Sequence, residues 1–356
     1  MRFLLLASLL LSLPAFASDL VVSTYKLQRP DPATVRAVVK YFAVETHGHA
    51  HDGSVEVFVP ADEAGFFQLL APNAVLIDAD IAATAQARLR SFASLSFNNR
   101  PGYRSLPEVQ TWMQDVERNH PAIAKVEQYG ESAAGRPLLA LKVGKGDSTK
   151  PALLVTAATH GDELITTEVL TRLIDKLLTG YGNDARLTQM VDRHDIYFVP
   201  VLNVDGFAAT SRFDGRADPN RSYPWPGNTG NRPTASIAGI IKLFERIKPV
   251  GSIDFHAYGE MVMYPWAYTH DPIDQTSKDK LHALTKSMAE KNGYEYGPIA
   301  DVIYLAPGSS ADYYFWTSRT MGIAIEIGNS KIPHPDQIPR FVQSQEESLW
   351  RFLEAF

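Results

Sequence analysis

The most constraining feature of the sequence is the stretch from Pro151 to Glu163, which reads PALLVTAATHGDE. Its apolar half is short and rich in strand-forming residues, a pattern typical of a strand buried on both faces of a parallel sheet. His160 and Glu163 follow this strand, three residues apart, at the junction with a predicted helix. An imidazole nitrogen and a carboxylate can converge there on a divalent ion such as zinc, but H-x-x-E alone is a weak signal that needs further ligands.

Composition narrows the function classes. The chain has 356 residues, of which 45% are hydrophobic, and a formal net charge of −6. This length indicates two domains or one large domain, and a mild acidic charge without basic blocks argues against nucleic acid as a partner. The sequence has no cysteine, which excludes disulfides and a lipoprotein anchor.

Residues 1–17 resemble a cleavable signal peptide. Arg2 precedes an apolar run from Phe3 to Leu13, and Ala15-Phe16-Ala17 is a small-x-small cleavage pattern. The alternative, a membrane anchor, needs about 20 apolar residues, and this run is shorter. We therefore expect export with cleavage after Ala17, a periplasmic or secreted protein, and no membrane contact once the signal has been removed.

The segment 18–81 predicts a small α+β domain. Strands and helices alternate in the order βαββαβ, which is typical of a ferredoxin-like unit that can fold alone. The predicted elements are the strands 20–27, 42–47, 54–59 and 74–77 and the helices 34–41 and 63–70. We expect 82–105 to be a connecting segment, with a helix at 82–93 and a turn-rich break at 98–102.

A histidine cluster lies in this first predicted domain. His47, His49 and His51 are spaced by two, so on a strand their imidazoles would share one face, and Asp52 follows them. The cluster resembles a metal site and would titrate in a useful pH range. The competing interpretation, a solvated hairpin tip beside Asp52-Gly53, is favoured because no apolar residues surround the cluster.

The remainder, 106–356, alternates strands and helices and predicts an α/β domain. We expect a mixed central sheet flanked by helices on both faces. The predicted helices are 106–120, 164–178, 235–247, 275–292, 311–318 and 337–356, and the predicted strands include 138–143, 152–158, 196–201, 252–256 and 323–327.

Several motifs in this region occur in the order found in the zinc metallocarboxypeptidases of the carboxypeptidase A/B type, which the sequence from 106 to 356 resembles. Besides H-x-x-E, they include G-x-S-x-x-G-R-x-L at 130–138, N-x-D-G at 203–206, D-x-N-R at 218–221, His-Ala-Tyr at 256–258, a tyrosine loop at 304–312 and Ile-Glu-Ile at 325–327. Carboxypeptidase A is a standard example of a catalytic His₂Glu zinc site.

The resemblance implies one zinc ion held by His160, Glu163 and His256, with one position left for water. It makes Glu326 the general base that takes a proton from this water and later passes it to the leaving amine. A core histidine and a salt-bridged glutamate at a strand end are the structural alternatives for His256 and Glu326. Asp218 resembles the acid that orients the first zinc histidine.

The same resemblance assigns substrate contacts. Asn220 and Arg221 would hold the terminal carboxylate of a peptide, which a guanidinium reads with two hydrogen bonds, and Tyr304 would close over it. An arginine upstream would stabilise the oxyanion of the scissile carbonyl, and we expect Arg212 rather than Arg216 in this role. The expected partners are therefore peptide or protein C-termini, bound by a monomer.

Specificity follows from the residue that precedes the aspartate of the tyrosine loop, because in the family it lines the bottom of the pocket for the terminal side chain. Here it is Ala311, and the other matched positions are Ala267, Ile299 and Ala324. None of them is charged, so we expect apolar or aromatic C-terminal residues to be preferred.

This sequence departs from the family pattern in places. Asp254 lies two residues before His256 on the same strand face, so it is either a partner of that histidine or a rival acid. Ala257 replaces a frequent serine, and the usual G-V-D-x-N-R appears here as R-A-D-P-N-R at 216–221. The spacing from Glu163 to His256 is shorter, which predicts trimmed surface loops.

The first predicted domain resembles the family's prosegment, which caps the active-site cleft. It would be an inhibitory prodomain or a folding aid, removed by proteolysis near Arg88, Arg90 or Arg100. Two other function classes stay open: a murein carboxypeptidase or amidase acting on peptidoglycan stem peptides with the same zinc site, and a non-enzymatic binding protein. The latter would be expected to lack a ligand or Glu326, and this sequence has all of them.

Overall fold

A computed structural model describes residues 20–45, 53–93, 102–146 and 150–356 of the chain. The signal-like stretch 1–17, the histidine cluster 47–52 and most of the turn-rich break, with Arg100, lie outside the described residues. The signal peptide and the histidine cluster therefore stay predictions. Within the described ranges, no helix combines the length and the apolar character needed to cross a membrane.

Residues 20–45 and 53–93 form what we call the N-terminal unit. Its strands are β1 (Val22–Leu27), β2 (Ala43–Glu45), β3 (Val55–Pro60) and β4 (Val75–Asp78), and its helices are α1 (Pro32–Val39), α2 (Ala64–Leu70) and α3 (Ile81–Ala93). The four strands make an antiparallel sheet in the order β2-β3-β1-β4. Asp31 caps α1 with its side chain, and Pro32 begins it.

The remaining strands form one eight-stranded mixed sheet in the order β11-β10-β12-β9-β7-β8-β6-β5, which confirms the expected fold class. They are β5 (Ala124–Glu131), β6 (Pro137–Val143), β7 (Ala152–Ala157), β8 (Asp195–Val199), β9 (Gly251–His256), β10 (Met261–Tyr264), β11 (Glu295–Pro298) and β12 (Met321–Glu326). The central strands β8, β7, β9 and β12 are mutually parallel.

Helices flank this sheet. They are α4 (Leu106–Asn119), α5 (Leu164–Gly180), α6 (Ala185–Arg193), α7 (Val204–Ala209), α8 (Ala235–Ile247), α9 (Gln275–Ala289), α10 (Ile299–Val302), α11 (Ser310–Ser318) and α12 (Ile338–Glu354). The sequence did not predict α6, α7 and α10, nor the short strands β10 and β11. Helices α9 and α12 end before the predicted residues 292 and 356.

The strand β7 lies at the centre of the sheet, and all six of its residues are buried. Leu153 and Val155 belong to the apolar core on one face, whereas Leu154 belongs to the core on the other. The strand is thus covered on both sides, as its unbroken apolar sequence requires. Parallel neighbours β7, β9 and β12 bring their carboxyl ends to one edge, where polar side chains meet.

Candidate active site

The turn after β7 places His160 and Glu163 at the carboxyl edge of the sheet. Ala158 has a positive φ of 49°, which turns the chain sharply away from the strand. Gly161 packs on the backbone of α7, where an added Cβ would lie 2.1 Å from the carbonyl carbon of Gly206. Only glycine fits between the two ligand candidates at this point.

Three candidate ligands converge in this turn and at the end of β9. His160, Glu163 and His256 are all buried, and their ligand atoms lie within 4.8 Å of one another. The Nδ1 atom of His160 is 2.6 Å from Glu163 Oε1, and the Nδ1 atom of His256 is 3.1 Å from Glu163 Oε2. Both imidazoles therefore present Nδ1 to one point, opposite a carboxylate.

The second ring nitrogen of each of these two histidines faces a carboxylate. His160 Nε2 lies 3.1 Å from Asp218 Oδ1, and His256 Nε2 lies 3.1 Å from Asp254 Oδ2. Such partners fix the ring orientation and the tautomer that leaves Nδ1 available to a metal. The donor set, its closeness and its supporting acids all fit zinc, so these three residues could hold the ion.

Asp254 is the partner of His256. Its carboxylate also accepts hydrogen bonds from the hydroxyl groups of Thr156, Thr159 and Ser310, at 2.8 to 2.9 Å. Burial opposes its ionisation, but His256 and the hydroxyl groups outweigh this and lower the pKa of Asp254. A carboxylate with four partners is fixed in place. This supports a role for Asp254 in orienting His256 over a role as a second catalytic acid.

Glu326 ends β12 beside the candidate ligands. In the parallel ladder of β12 and β9 it is the register partner of His256, so adjacent strands carry the two residues side by side. Glu326 is half-buried and lines the same cavity as His160, Arg212 and His256. Burial raises its pKa well above the ordinary value for a glutamate, and the nearby Glu163 carboxylate adds to the rise.

The candidate carboxylate-binding residues also line this cavity. Arg221 donates through Nη2 to the hydroxyl of Tyr304 at 2.6 Å and through Nη1 to the carbonyl of Asn220 at 2.9 Å. Asn220 Oδ1 in turn accepts from the backbone N–H of Ser310 at 2.9 Å, which ties the loop to the start of α11. The structure therefore brings Asn220, Arg221 and Tyr304 together.

Arg212 and Arg216, the two oxyanion candidates, point to different places. Arg212 is buried, donates to Asp218 Oδ2 through Nε and Nη2, and has Nη1 3.9 Å from Glu163 Oε1. Arg216 is exposed and pairs with Asp62 at 2.8 Å. Only Arg212 lines the cavity, together with the metal-ligand candidates. Burial opposes its effect, yet Arg212 holds the pKa of Asp218 well below the usual range.

Small apolar side chains form the floor of the cavity. Ala311, Ala324 and Ile299 line it, as do Met263 and Ala306. Ala267 belongs to the same apolar cluster. Asp312, which follows Ala311, accepts hydrogen bonds from the backbone N–H groups of Ala267 and Tyr268, and burial raises its pKa to about 7. The acid thus braces the floor and does not face the cavity.

The motifs at 130–138 and 203–206 are structural partners. Asp205 accepts hydrogen bonds from Arg136 Nη1 at 2.5 Å, Ser132 Oγ at 2.8 Å and Ala134 N at 3.0 Å. One carboxylate therefore holds the turn between β5 and β6 against α7. Asn203 caps α7 by accepting from the N–H of Gly206 at 2.9 Å.

The sequence interpretation missed three charged residues of the site. Glu45, at the end of β2, forms ion pairs with Arg212 Nη1 and, at 3.0 Å, with Lys331 Nζ. Lys331 also pairs with Asp162 at 3.0 Å. Nothing in the sequence links these positions, since the contacts join elements far apart in the chain. One weak signal was available: Asp162 lies between the candidate ligands His160 and Glu163.

Comparison with known proteins covers most of the chain. Residues 109–348 match the sequence model of a family described as zinc carboxypeptidase. Carboxypeptidase A1 of Mus musculus is 26% identical over 299 residues, which are 74% of this chain and 71% of that protein. Carboxypeptidase B of Homo sapiens is 24% identical over 336 residues, which are 83% and 78% of the two proteins.

A solved structure agrees with these matches at the level of the fold. The crystal structure of carboxypeptidase A from Helicoverpa armigera superimposes with a TM-score of 0.76 at 18% sequence identity, covering 94% of this chain and 97% of that one. The shared fold extends over nearly the whole length of both chains.

Proposed function

The chain belongs to the zinc carboxypeptidase family, and from this premise we propose that it removes apolar or aromatic residues from the C-termini of peptides or proteins. Enzymes of the family are zinc metallocarboxypeptidases, so the reaction class is established. The observation that carries the proposal for this chain is the single cavity lined by His160, His256, Glu326, Arg212 and Arg221. Metal ligands, a candidate base and two guanidinium groups face one space there.

The division of roles follows from these positions. His160, Glu163 and His256 would hold zinc, which, when bound, lowers the pKa of a coordinating water and polarises a carbonyl group. Glu326 accepts the proton of the attacking water and then donates it to the nitrogen of the leaving amino acid. Its raised pKa suits both steps, because the protonated form must also be accessible.

Substrate placement depends on the guanidinium groups. Arg221, with Asn220 and Tyr304 beside it, reads the terminal carboxylate with charge-assisted hydrogen bonds. Arg212 donates from Nη1 to the oxyanion that develops on the scissile carbonyl, while Asp218 holds its other two nitrogens. Asp218 also orients His160, so one carboxylate aligns both a metal-ligand candidate and the guanidinium of Arg212.

Kinetics on a matched peptide series test this proposal. Peptides that are blocked at the N-terminus and differ only in the last residue, with Phe, Leu, Lys or Glu, are digested by the zinc-loaded protein after cleavage of the N-terminal unit, and the released amino acid is measured. We expect kcat/KM to be highest for Phe or Leu, and a chelator to abolish release. Faster release of Lys than of Phe would contradict the apolar preference, and release that survives metal removal would contradict the zinc mechanism.

The variant Ala311→Asp sharpens the test of the pocket floor. A carboxylate there would attract a cationic terminal side chain, so the Lys/Phe ratio of kcat/KM should rise by at least tenfold. Purified muropeptides belong in the same experiment. If the protein cleaved the stem peptides of muropeptides in preference to ordinary peptides, peptidoglycan would be its substrate class. We expect the opposite, because the uncharged cavity floor offers a diaminopimelate side chain no charged partner.

We further propose that the N-terminal unit restrains the enzyme as a prodomain until proteolysis removes it. Glu45 pairs with Arg212, the residue assigned to the oxyanion, and the carbonyl of Val44 accepts a hydrogen bond from Tyr304. The cavity left beneath them measures about 50 Å³, room for a few water molecules and far less than a peptide end needs. Arg88 and Arg90 are exposed on α3, within reach of a protease.

Comparing the intact chain with the cleaved chain tests this restraint. The two forms, loaded equally with zinc, are assayed on the same Phe-terminated peptide. The cleaved form should be at least tenfold more active. Equal activity would remove the inhibitory role and leave a folding aid as the alternative. Export through a cleavable signal at 1–17, to the periplasm or the medium, completes the proposal, and N-terminal sequencing of the secreted protein tests it.

A further inference from the structure

A carboxylate occupies a cationic site beside the proposed metal centre. One oxygen, Oε1 of Glu45, contacts both Arg212 Nη1 and Lys331 Nζ. We call these two donor nitrogens the anion site. Both cations also lie over the ring of Phe58, at 4.9 and 4.7 Å from its centroid. Because a single atom bridges them, the two nitrogens are no more than two hydrogen-bond lengths apart.

Lys331 is fixed in this position by the turn that carries two metal-ligand candidates. Its ammonium pairs with Asp162 Oδ2 at 3.0 Å, and its backbone carbonyl accepts from the N–H of Ile165 at 3.1 Å. Only 15% of its side chain is exposed. Burial opposes the charge, but Asp162 and Glu45 outweigh it and raise the pKa of Lys331, so the site is cationic.

The carboxylate in the site is ionised as well. Burial alone would raise the pKa of Glu45, yet Lys331 and Arg212 lower it below the ordinary value. Lys331 and Arg212 belong to the part of the chain from α4 to α12, which contains the eight-stranded sheet and which we call the catalytic part. Glu45 and Phe58 belong to the N-terminal unit. Removal of that unit would therefore leave Lys331 Nζ and Arg212 Nη1 without the carboxylate that they now bind.

The direction of β2 shows where a substrate would meet this site. The carbonyl of Val44 lies at Tyr304, beside the proposed carboxylate reader Arg221, and the next residue, Glu45, reaches Lys331. Arg221 connects to the His256 side of the cavity through Asn220, whereas Lys331 connects to the Glu163 side through Asp162. Two consecutive residues of β2 thus contact the surroundings of the proposed chain-end reader and Lys331.

We propose that Lys331 binds an acidic side chain of the substrate, at the residue immediately before the scissile bond or the one preceding it. This rests on the proposed carboxypeptidase function, in which Arg212 contacts the scissile carbonyl. A side chain that reaches Lys331 must then belong to a residue close to that carbonyl, since the two cations share one Glu45 oxygen. Lys331 is the specificity-determining residue for this upstream position, and Glu45 stands in for the substrate carboxylate.

A peptide series on the cleaved protein tests the assignment. The intact chain is folded, loaded with zinc and nicked between α3 and α4, and the N-terminal unit is then separated from the rest of the protein. The eight-stranded sheet contains no strand from that unit. Peptides ending in Phe carry Glu, Gln or Ala at each of the two preceding positions. We expect kcat/KM for the Glu peptide to exceed that for the Gln peptide by about tenfold at one or both positions. The reason is that a carboxylate accepts a charge-assisted hydrogen bond from Lys331, which is stronger than the bond to a neutral amide.

Variants assign the preference to Lys331. Lys331→Gln should abolish the difference in kcat/KM between the Glu and Gln peptides, and Lys331→Arg should restore most of the preference. Equal rates for Glu and Gln in the unsubstituted protein, or a preference that survives Lys331→Gln, would overturn the proposal. The comparison of Glu and Gln peptides on the unsubstituted protein tests the proposal even if a variant fails to fold.

Binding measurements separate this proposal from the proposed function. Calorimetry on metal-depleted, nicked protein gives Kd for the Glu and Gln peptides without any hydrolysis. A tenfold tighter Kd for Glu supports the Lys331 site even if no peptide is cleaved, and an equal Kd overturns it. Conversely, chelator-sensitive cleavage of the Gln peptide with no Glu preference would leave the carboxypeptidase function standing and remove only the upstream specificity.

Discussion

Two charged clusters meet in the active-site cavity, and they are completed in different ways. The metal-ligand candidates His160 and His256 receive their supporting carboxylates, Asp218 and Asp254, from the catalytic part itself. The anion site receives its carboxylate from Glu45 of the N-terminal unit. A cluster completed within one part of the chain is permanent. A cluster completed by the N-terminal unit would exchange its partner for a substrate under the removal that we propose for that unit.

Asp218 couples the two clusters. Its Oδ1 faces His160, and its Oδ2 accepts from Arg212, the residue that Glu45 contacts. A change in the exchangeable cluster can therefore be transmitted to the permanent one through a single buried carboxylate. The comparison predicts that substitutions in the permanent cluster affect every substrate, and that substitutions in the exchangeable cluster affect the intact chain or particular substrates.

The largest effect is expected for Glu326→Gln. An amide can neither accept the proton of the attacking water nor return it, so kcat of the cleaved protein should fall by about a thousandfold. Bound zinc, measured by elemental analysis, should stay at one ion per chain, because Glu326 is not among the ligand candidates. The exposed Glu290→Gln is the matched control. A loss of less than tenfold would mean that another group acts as the base.

Arg221→Met should give the next largest effect. This substitution removes the guanidinium that we assign to binding the terminal carboxylate. Because two charge-assisted hydrogen bonds are lost, kcat/KM for peptides with a free C-terminal carboxylate should fall by about a hundredfold. The control is Arg216→Met, whose exposed pair with Asp62 lies away from the cavity and should change kcat/KM less than twofold. If both variants lose activity equally, Arg221 does not read the carboxylate.

The metal-ligand candidates and Glu326 could be named from the sequence because the order of their motifs resembles that of the zinc carboxypeptidases, and their place at the ends of apolar strands agrees with this. His160, His256 and Glu326 each follow or end a buried strand, and parallel strands bring these ends together. The exchangeable cluster was not predictable. Glu45 is one acid on a short edge strand, Lys331 lies in a loop, and their contact depends on how two separate sheets pack.

The helices and strands that the sequence did not predict are explained in the same way: they are too short for a local pattern, or they depend on contacts between distant parts of the chain. Strand β10 and helix α10 have four residues each, too few for a periodic pattern to be recognised. Helix α6 did carry a signal, because Asp184 caps it and Leu187, Met190 and Val191 form its buried stripe. The pairing of β10 with both β11 and β12 depends on contacts that no local pattern contains.

Asp218→Asn tests the coupling between the clusters, with Asp254→Asn as its partner variant. Each removes a carboxylate from one ligand imidazole, so zinc affinity, measured by chelator competition, should fall by about 10- to 100-fold in both. Only Asp218→Asn also loosens Arg212, so only this variant should show a lower kcat at saturating zinc. Equal kcat values for the two variants at saturating zinc would show that Asp218 acts on the metal site alone.

The smallest expected effect, and the one that separates the two clusters directly, comes from Glu45→Gln in the intact chain. The amide keeps the shape of the side chain but loses the charge that Arg212 and Lys331 share, while it still accepts a hydrogen bond. Removing one partner of a buried pair costs more than removing an exposed one. Residual activity before proteolysis should therefore rise by about tenfold, equivalent to about 1.4 kcal/mol.

The control variant is Asp62→Asn, which breaks the exposed pair between the N-terminal unit and Arg216 and should raise the residual activity less than twofold. The two variants are assayed beside the unsubstituted chain on one Phe-terminated peptide, and all three should reach the same kcat once the N-terminal unit has been cut away. If Asp62→Asn activates the intact chain as strongly as Glu45→Gln, the restraint comes from the overall docking of the unit and not from the carboxylate in the anion site.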